Sequence, residues 1–180
     1  CDNCPTITKP SQDDGDGGQD TLLNIQKVLG SGFGDSLTGG NGNDTLVGGA
    51  GNDTLDGGAG IDQANYSQAL SGVAIDLSGP TDTASELSVG VDHLFNIERI
   101  LGSQFNDTIT GNAAVFDELV GSNGNDVIDG DGNGYASYYD SPGGVNADLN
   151  AGKATNDGWG NGSHDTLKNL LGLTGSDFND

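Results

Sequence analysis

Apolar residues recur singly along this chain, nine residues apart, between stretches of glycine, asparagine and aspartate. Leu37, Leu46, Leu55 and Ala64 form one such series. Each is the middle of a three-residue piece such as Thr45-Leu46-Val47. Side-chain alternation makes such a piece a short strand with its central residue facing inward. The six residues before each piece are turn-forming: GGNGND precedes Thr45 and GGAGND precedes Thr54. Glycine opens successive copies at positions 30, 39, 48 and 57, and aspartate follows at Asp35, Asp44, Asp53 and Asp62. A second run holds GSQFNDTIT from Gly102, a ten-residue copy GNAAVFDELV, and GSNGNDVID from Gly121. Repetition at a fixed period predicts stacked half-coils around one thin core, each copy contacting its neighbours.

A longer period contains the short one. DTLLNIQKVLGSGFGDSLTG from Asp20 matches DHLFNIERILGSQFNDTITG from Asp92, and DTLKNLLGLTGSDFND opens a third copy at Asp165. Asn24, Asn96 and Asn169 mark the register, at spacings of 72 and then 73 residues. The connecting segments match as well, YSQALSGVAIDLSG from Tyr66 with YYDSPGGVNADLNAG from Tyr138. The third copy stops at Asp180, the equivalent of Asp107, and the natural protein is expected to continue beyond it.

Composition changes the picture in one respect. With 33 glycines, no methionine and 32% hydrophobic residues, a conventional two-layer core is hard to build. Ordering the chain costs about 1–2 kcal/mol per residue, and a formal net charge of −22 makes stacked turns repel. Of the 27 acids only Glu86, Glu98 and Glu118 are glutamates. Short carboxylates close to the backbone of tight turns suit a hard cation that takes six to eight oxygens, and such a cation would offset both difficulties. The charge argues against nucleic acid and anionic membrane surfaces as partners, and no apolar run has the length of a membrane span. Cys1 and Cys4 lie together at the amino end, so no disulfide framework staples the body. No GxSxG or HExxH is present, His93 and His164 are expected on the surface, and no enzymatic activity is expected. Asp157 lies outside the repeat pattern and is expected to matter less than Asp53.

GGNGNDTLV and GGAGNDTLD resemble the RTX (repeats-in-toxin) consensus GGxGxDxUx, with U a large apolar residue. The resemblance implies an all-β fold, a right-handed parallel β-roll or β-solenoid, with several calcium ions held between turns two copies apart on one edge. It places Asp35 opposite Asp53, Asp44 opposite Asp62, and Asp107 opposite Asp126. It also implies main-chain carbonyl ligands from Gly39, Gly40, Asn41 and Gly42, from Gly48, Gly49, Ala50 and Gly51, and from Gly57, Gly58, Ala59 and Gly60. Gly121, Asn123 and Gly124 complete the second block. Asp129 and Asp131, in DGDGNG, are read as ligands on a distorted further turn. Phe33, Phe105 and Phe178 replace the fourth-position glycine and are expected to pack inward, weakening the sites in their turns. The ten-residue copy around Asp117 is not expected to form a full site.

Residues 1–20, CDNCPTITKPSQDDGDGGQD, resemble the junction of two thrombospondin type 3 repeats, a degenerate calcium segment or linker ahead of a β-roll over residues 21–180. The function implied is a calcium-binding structural module of a large secreted bacterial surface or adhesin-like protein, folding on calcium outside the cell. The alternative is an accessory or glycan-binding module of an extracellular polysaccharide-active enzyme, lipase or protease. The partners implied are calcium, neighbouring repeats of the same or identical chains, and extracellular polysaccharide.

Overall fold

A computed structural model of the protein describes residues 26–79, 82–86, 90–159 and 162–180. The thrombospondin-like segment and Asn24 lie outside these residues. The described residues form fifteen strands and no helix. The first long unit contributes β1 (Lys27–Leu29), β2 (Ser36–Thr38), β3 (Thr45–Val47), β4 (Thr54–Asp56), β5 (Gln63–Asn65), β6 (Ala74–Asp76) and β7 (Asp82–Glu86). The second contributes β8 (Gly90–Phe95), β9 (Arg99–Leu101), β10 (Thr108–Thr110), β11 (Asp117–Val120), β12 (Val127–Ser137), β13 (Asn146–Asp148) and β14 (Lys153–Asn156). The third begins with β15 (Asp165–Thr174).

Successive strands alternate between two ladders because each six-residue turn reverses the chain. One ladder runs β1-β3-β5-β9-β11, and the other starts β2-β4-β8; β12 joins them, pairing β10 through its first half and β11 through its second. One inward residue per rung stacks along each ladder. Val28, Leu46, Ala64, Ile100, Leu119 and Ala136 are in register on the first. Ile75, Ile109, Ile128 and Leu167 are in register on the second. Both rows belong to one buried cluster with Leu37, Leu55 and Leu94. The core is therefore only two rows of side chains wide. Asparagines preceding four of the turn aspartates bind the coils together: Asn43, Asn52, Asn106 and Asn125 accept the N–H groups of Ile61, Val91, Asn125 and His164 through their side-chain oxygens, at 2.8–3.0 Å.

Two features depart from a purely parallel roll. β7 runs antiparallel to both β6 and β8, and β14 antiparallel to both β13 and β15, so each long unit inserts one reversed rung. The expected inward packing of the three phenylalanines is also corrected: Phe33, Phe105 and Phe178 are 76%, 45% and 55% exposed. In each of these turns the aspartate folds back onto the N–H of the serine at the second position, Ser31, Ser103 or Ser176, and the ring lies outside. The register asparagines have a backbone reason. Asn96 and Asn169 adopt φ of 51° and 46°, the left-handed region that asparagine tolerates better than most residues. Each donates its side-chain amide to the acid forty residues earlier, Asp56 and Asp129 respectively.

Candidate metal centre in the glycine turns

The turn aspartates are nearly all buried. Asp44, Asp53, Asp62, Asp107 and Asp126 are between 0 and 4% exposed. The carboxylates of Asp53, Asp62 and Asp126 each link two coils. Asp53 Oδ1 accepts the N–H of Asp35 at 2.9 Å, Asp62 Oδ1 that of Asp44 at 2.7 Å, and Asp126 Oδ1 that of Asp107 at 2.8 Å. The structure thus brings together the three pairs that the RTX resemblance implies.

The columns then continue through residues outside the nonapeptide pattern. Asp92 Oδ1 accepts from Asp53 and Asp165 Oδ1 from Asp126, each 39 residues on, while Glu98 takes the N–H of Asp62. Asp92, Asp165 and Glu98 were missed because they belong to no nonapeptide. For Asp92 and Asp165 the signal was the recurrence of aspartate at the start of each long repeat. Tyrosine ends two of the columns: the Tyr66 hydroxyl donates to Asp92 Oδ2 at 3.0 Å and the Tyr138 hydroxyl to Asp165 Oδ2 at 2.9 Å.

The second carboxylate oxygen separates two kinds of turn. In one turn of each pair it is satisfied locally. Asp35 Oδ2 accepts the N–H of Ser31, Asp44 Oδ2 that of Gly40, and Asp107 Oδ2 that of Ser103. In the next turn it is not. Asp53 Oδ2, Asp62 Oδ2 and Asp126 Oδ2 are buried without a hydrogen-bond partner. The difference lies in the backbone, because Gly49, Gly58 and Ser122 have φ of 99°, 91° and 69°. That conformation turns away the N–H that would otherwise close on the carboxylate. Each partnerless oxygen lies against its turn's opening glycine, 2.3, 2.7 and 2.2 Å from where a Cβ on Gly48, Gly57 or Gly121 would stand. A cradle of this kind, with a buried charge and no donor, fits a hard cation. Among the described residues no three carboxylate, histidine or cysteine side chains converge on one point. Such a cation would therefore draw on paired aspartates and main-chain oxygens, as the glycine turns provide.

Four other aspartates stand differently. Asp129 and Asp131 lie on strand β12 and not on a turn stacked over another turn. Asp129 Oδ1 accepts from the Asn169 side-chain amide and from the Asp131 N–H, which clasps β12 to β15. Asp117, in the ten-residue copy, is fully buried; Oδ2 accepts from Asn112 and Oδ1 has no partner. Asp157 is no neutral control either, being fully buried with the Ser163 hydroxyl on its Oδ2.

Burial raises the carboxyl pKa values. Desolvation, opposed by the Asp107 N–H and reinforced by Asp165, Asp107 and Asp157, pushes Asp126 up to about 8. Asp92, Asp117 and Asp165 rise to about 6, again chiefly through burial. Unfolded aspartates titrate near 3.9, so the metal-free fold binds more protons than the unfolded chain. The stability these groups contribute is fully present below the unfolded value and is lost as pH rises through about 6 to about 8. The metal-free chain should accordingly show more β-sheet circular dichroism at mildly acid pH than at alkaline pH. Equal spectra at both would contradict this.

Paired aspartates with partnerless buried oxygens in the turns of a β-roll are the chemistry of a cation-binding repeat. Residues 29–64, 96–114 and 116–133 match the RTX calcium-binding nonapeptide repeat in four copies; these segments belong to that repeat family, and the chain is a calcium-binding repeat module. No curated protein matches the chain closely enough to count as a relative.

Proposed function

We propose that the chain is a structural module that folds when calcium enters its glycine turns, as part of a larger secreted bacterial surface protein. The observation that carries this reading is the set of buried, partnerless oxygens on Asp53, Asp62 and Asp126. Calcium would sit between coils, held by Asp35 with Asp53, Asp44 with Asp62, and Asp107 with Asp126. Carbonyls of the opening turn residues, from Gly39 to Gly42, Gly48 to Gly51, Gly57 to Gly60, and Gly121, Asn123 and Gly124, would complete the shell. The tyrosine hydroxyls on Asp92 and Asp165 would close the columns, giving two calcium blocks, one per long unit. Repeats of this family are typical of proteins that bacteria secrete. A fold that waits for calcium suits export ahead of folding, and a stiff rod of stacked coils suits a spacer or adhesive stalk.

Calorimetric titration of the metal-free chain tests the reading. Asp53→Asn should lower the number of calcium ions bound and weaken the rest of the first block, since Asp53 joins the Asp35 turn through its carboxylate and Asp92 through its N–H. Unchanged stoichiometry and affinity in that variant would remove the basis for the assignment.

A further inference from the structure

The two long units diverge chemically at one place. In the first, a small cavity beside Tyr66 is lined by residues that include Gly49, Asn65, Gln68 and Ala69. Aligned on Tyr138, the equivalents of Asn65, Gln68 and Ala69 in the second unit are Ser137, Asp140 and Ser141, and aligned on the turn's opening glycine, Gly48 with Gly121, the equivalent of Gly49 is Ser122. A neutral lining has become one carboxylate and three hydroxyls. Ser122 keeps the left-handed φ of its glycine counterpart, at 69°, a conformation unfavourable for a residue with a Cβ. Its hydroxyl donates to Asp140 Oδ2 at 2.7 Å.

The remaining oxygens point to a ligand. Asp140 Oδ1 and Ser137 Oγ are both buried without a partner, and Ser137 is 1% exposed. Asn65, the counterpart of Ser137, lines the first unit's cavity together with Gln68, the counterpart of Asp140. Asp126 Oδ2, also partnerless, lies against Gly121, the residue before Ser122. Asp157 is tied in from the other side. Its carbonyl accepts the Ser141 hydroxyl at 2.6 Å and its Oδ1 accepts the Trp159 N–H at 3.0 Å. The charge of Asp157 acts on both Asp126 and Asp140, and no lysine or arginine is among the groups that act on either. Buried carboxylates of like sign are unfavourable unless a counter-charge is present.

We propose that Asp140 Oδ1 and Ser137 Oγ ligate one calcium ion at a site outside the nonapeptide pattern, with Asp126 and Asp157 supplying the further negative charge. Main-chain oxygens and water complete its shell, as calcium's six to eight oxygens require. The site uses the same ion as the proposed function but rests on different residues.

The test is the double variant Ser122→Gly/Asp140→Gln, which installs the first unit's residues and so a set this fold already packs. Calcium counted at saturation should fall by one ion per chain relative to the parent. Terbium emission excited through Trp159, the single tryptophan, should fall several-fold, whereas Asp53→Asn should lose calcium but keep that emission. Should the double variant fail to fold, Ser137→Ala provides the same readout and should weaken the terbium signal. If the variant keeps the parent's ion count and Trp159-excited emission while Asp53→Asn loses calcium, this inference is overturned and the nonapeptide reading stands. If neither variant loses an ion, both fall.

Discussion

Removing calcium with excess chelator is expected to abolish most of the chain's β-sheet circular dichroism, and restoring calcium, but not sodium of equal charge, is expected to bring it back. The physical reason is the thinness of the core set against the charge around it. Each rung buries one side chain, such as Leu46 or Ile100, worth about 1.5–3 kcal/mol when fully buried. Each three-residue strand also orders a six-residue turn, and every ordered residue costs about 1–2 kcal/mol. Carboxylates at Asp53, Asp62 and Asp126 are buried with an oxygen that nothing satisfies. A site occupied at about ten times its dissociation constant adds about 1.4 kcal/mol, and several sites sharing turns reach a substantial part of a typical ~5–15 kcal/mol stability. A chain that kept its full spectrum in chelator would show that the apolar rows suffice alone.

Gly57→Ala should lose about 3 kcal/mol, the upper end for overpacking, and should remain destabilised in saturating calcium. A Cβ at Gly57 would stand 2.2 Å from the Asn96 carbonyl oxygen and 2.4 Å from Asp62 Cβ. Neither can swing aside, because Asn96 is fixed by its left-handed backbone and its bond to Asp56, and Asp62 by its hold on Asp44. Gly32→Ala is the matched comparison, since nothing lies within 4 Å of its Cβ position. It should be neutral, or stabilising by up to about 1 kcal/mol through the unfolded chain. Thermal unfolding of the two variants in calcium checks the contrast, and equal melting temperatures would contradict it.

What could be read from the sequence was what the short period controls. Leu37, Leu46 and Leu55 announced the inward row, and the nine-residue spacing of Asp35, Asp44, Asp53 and Asp62 announced the turns, which the RTX resemblance paired two copies apart. Both follow from local turn chemistry repeated at a fixed interval. The long period announced Asn96 and Asn169, though not the left-handed backbone that explains them. Features set by non-local pairing were hidden. The reversed rungs β7 and β14 have no apolar alternation of their own and exist because β6, β8, β13 and β15 leave an edge for each to fill. Asp92 and Asp165 look like ordinary strand residues until their columns are followed across 39 residues. Asp157 looks like a loop acid because its burial depends on Ser141 and Ser163, distant from it in pattern though close in space. The exposed phenylalanines show the limit of reading a large apolar residue as core wherever a turn has no room for it.

The anomalous scattering of a crystal grown in saturating calcium tests the central claim most directly. The account predicts calcium peaks about 2.3–2.6 Å from Oδ2 of Asp53, Asp62 and Asp126, each shared with the coil beneath. Peaks located elsewhere, with those three oxygens left to water or to protein donors, would contradict it.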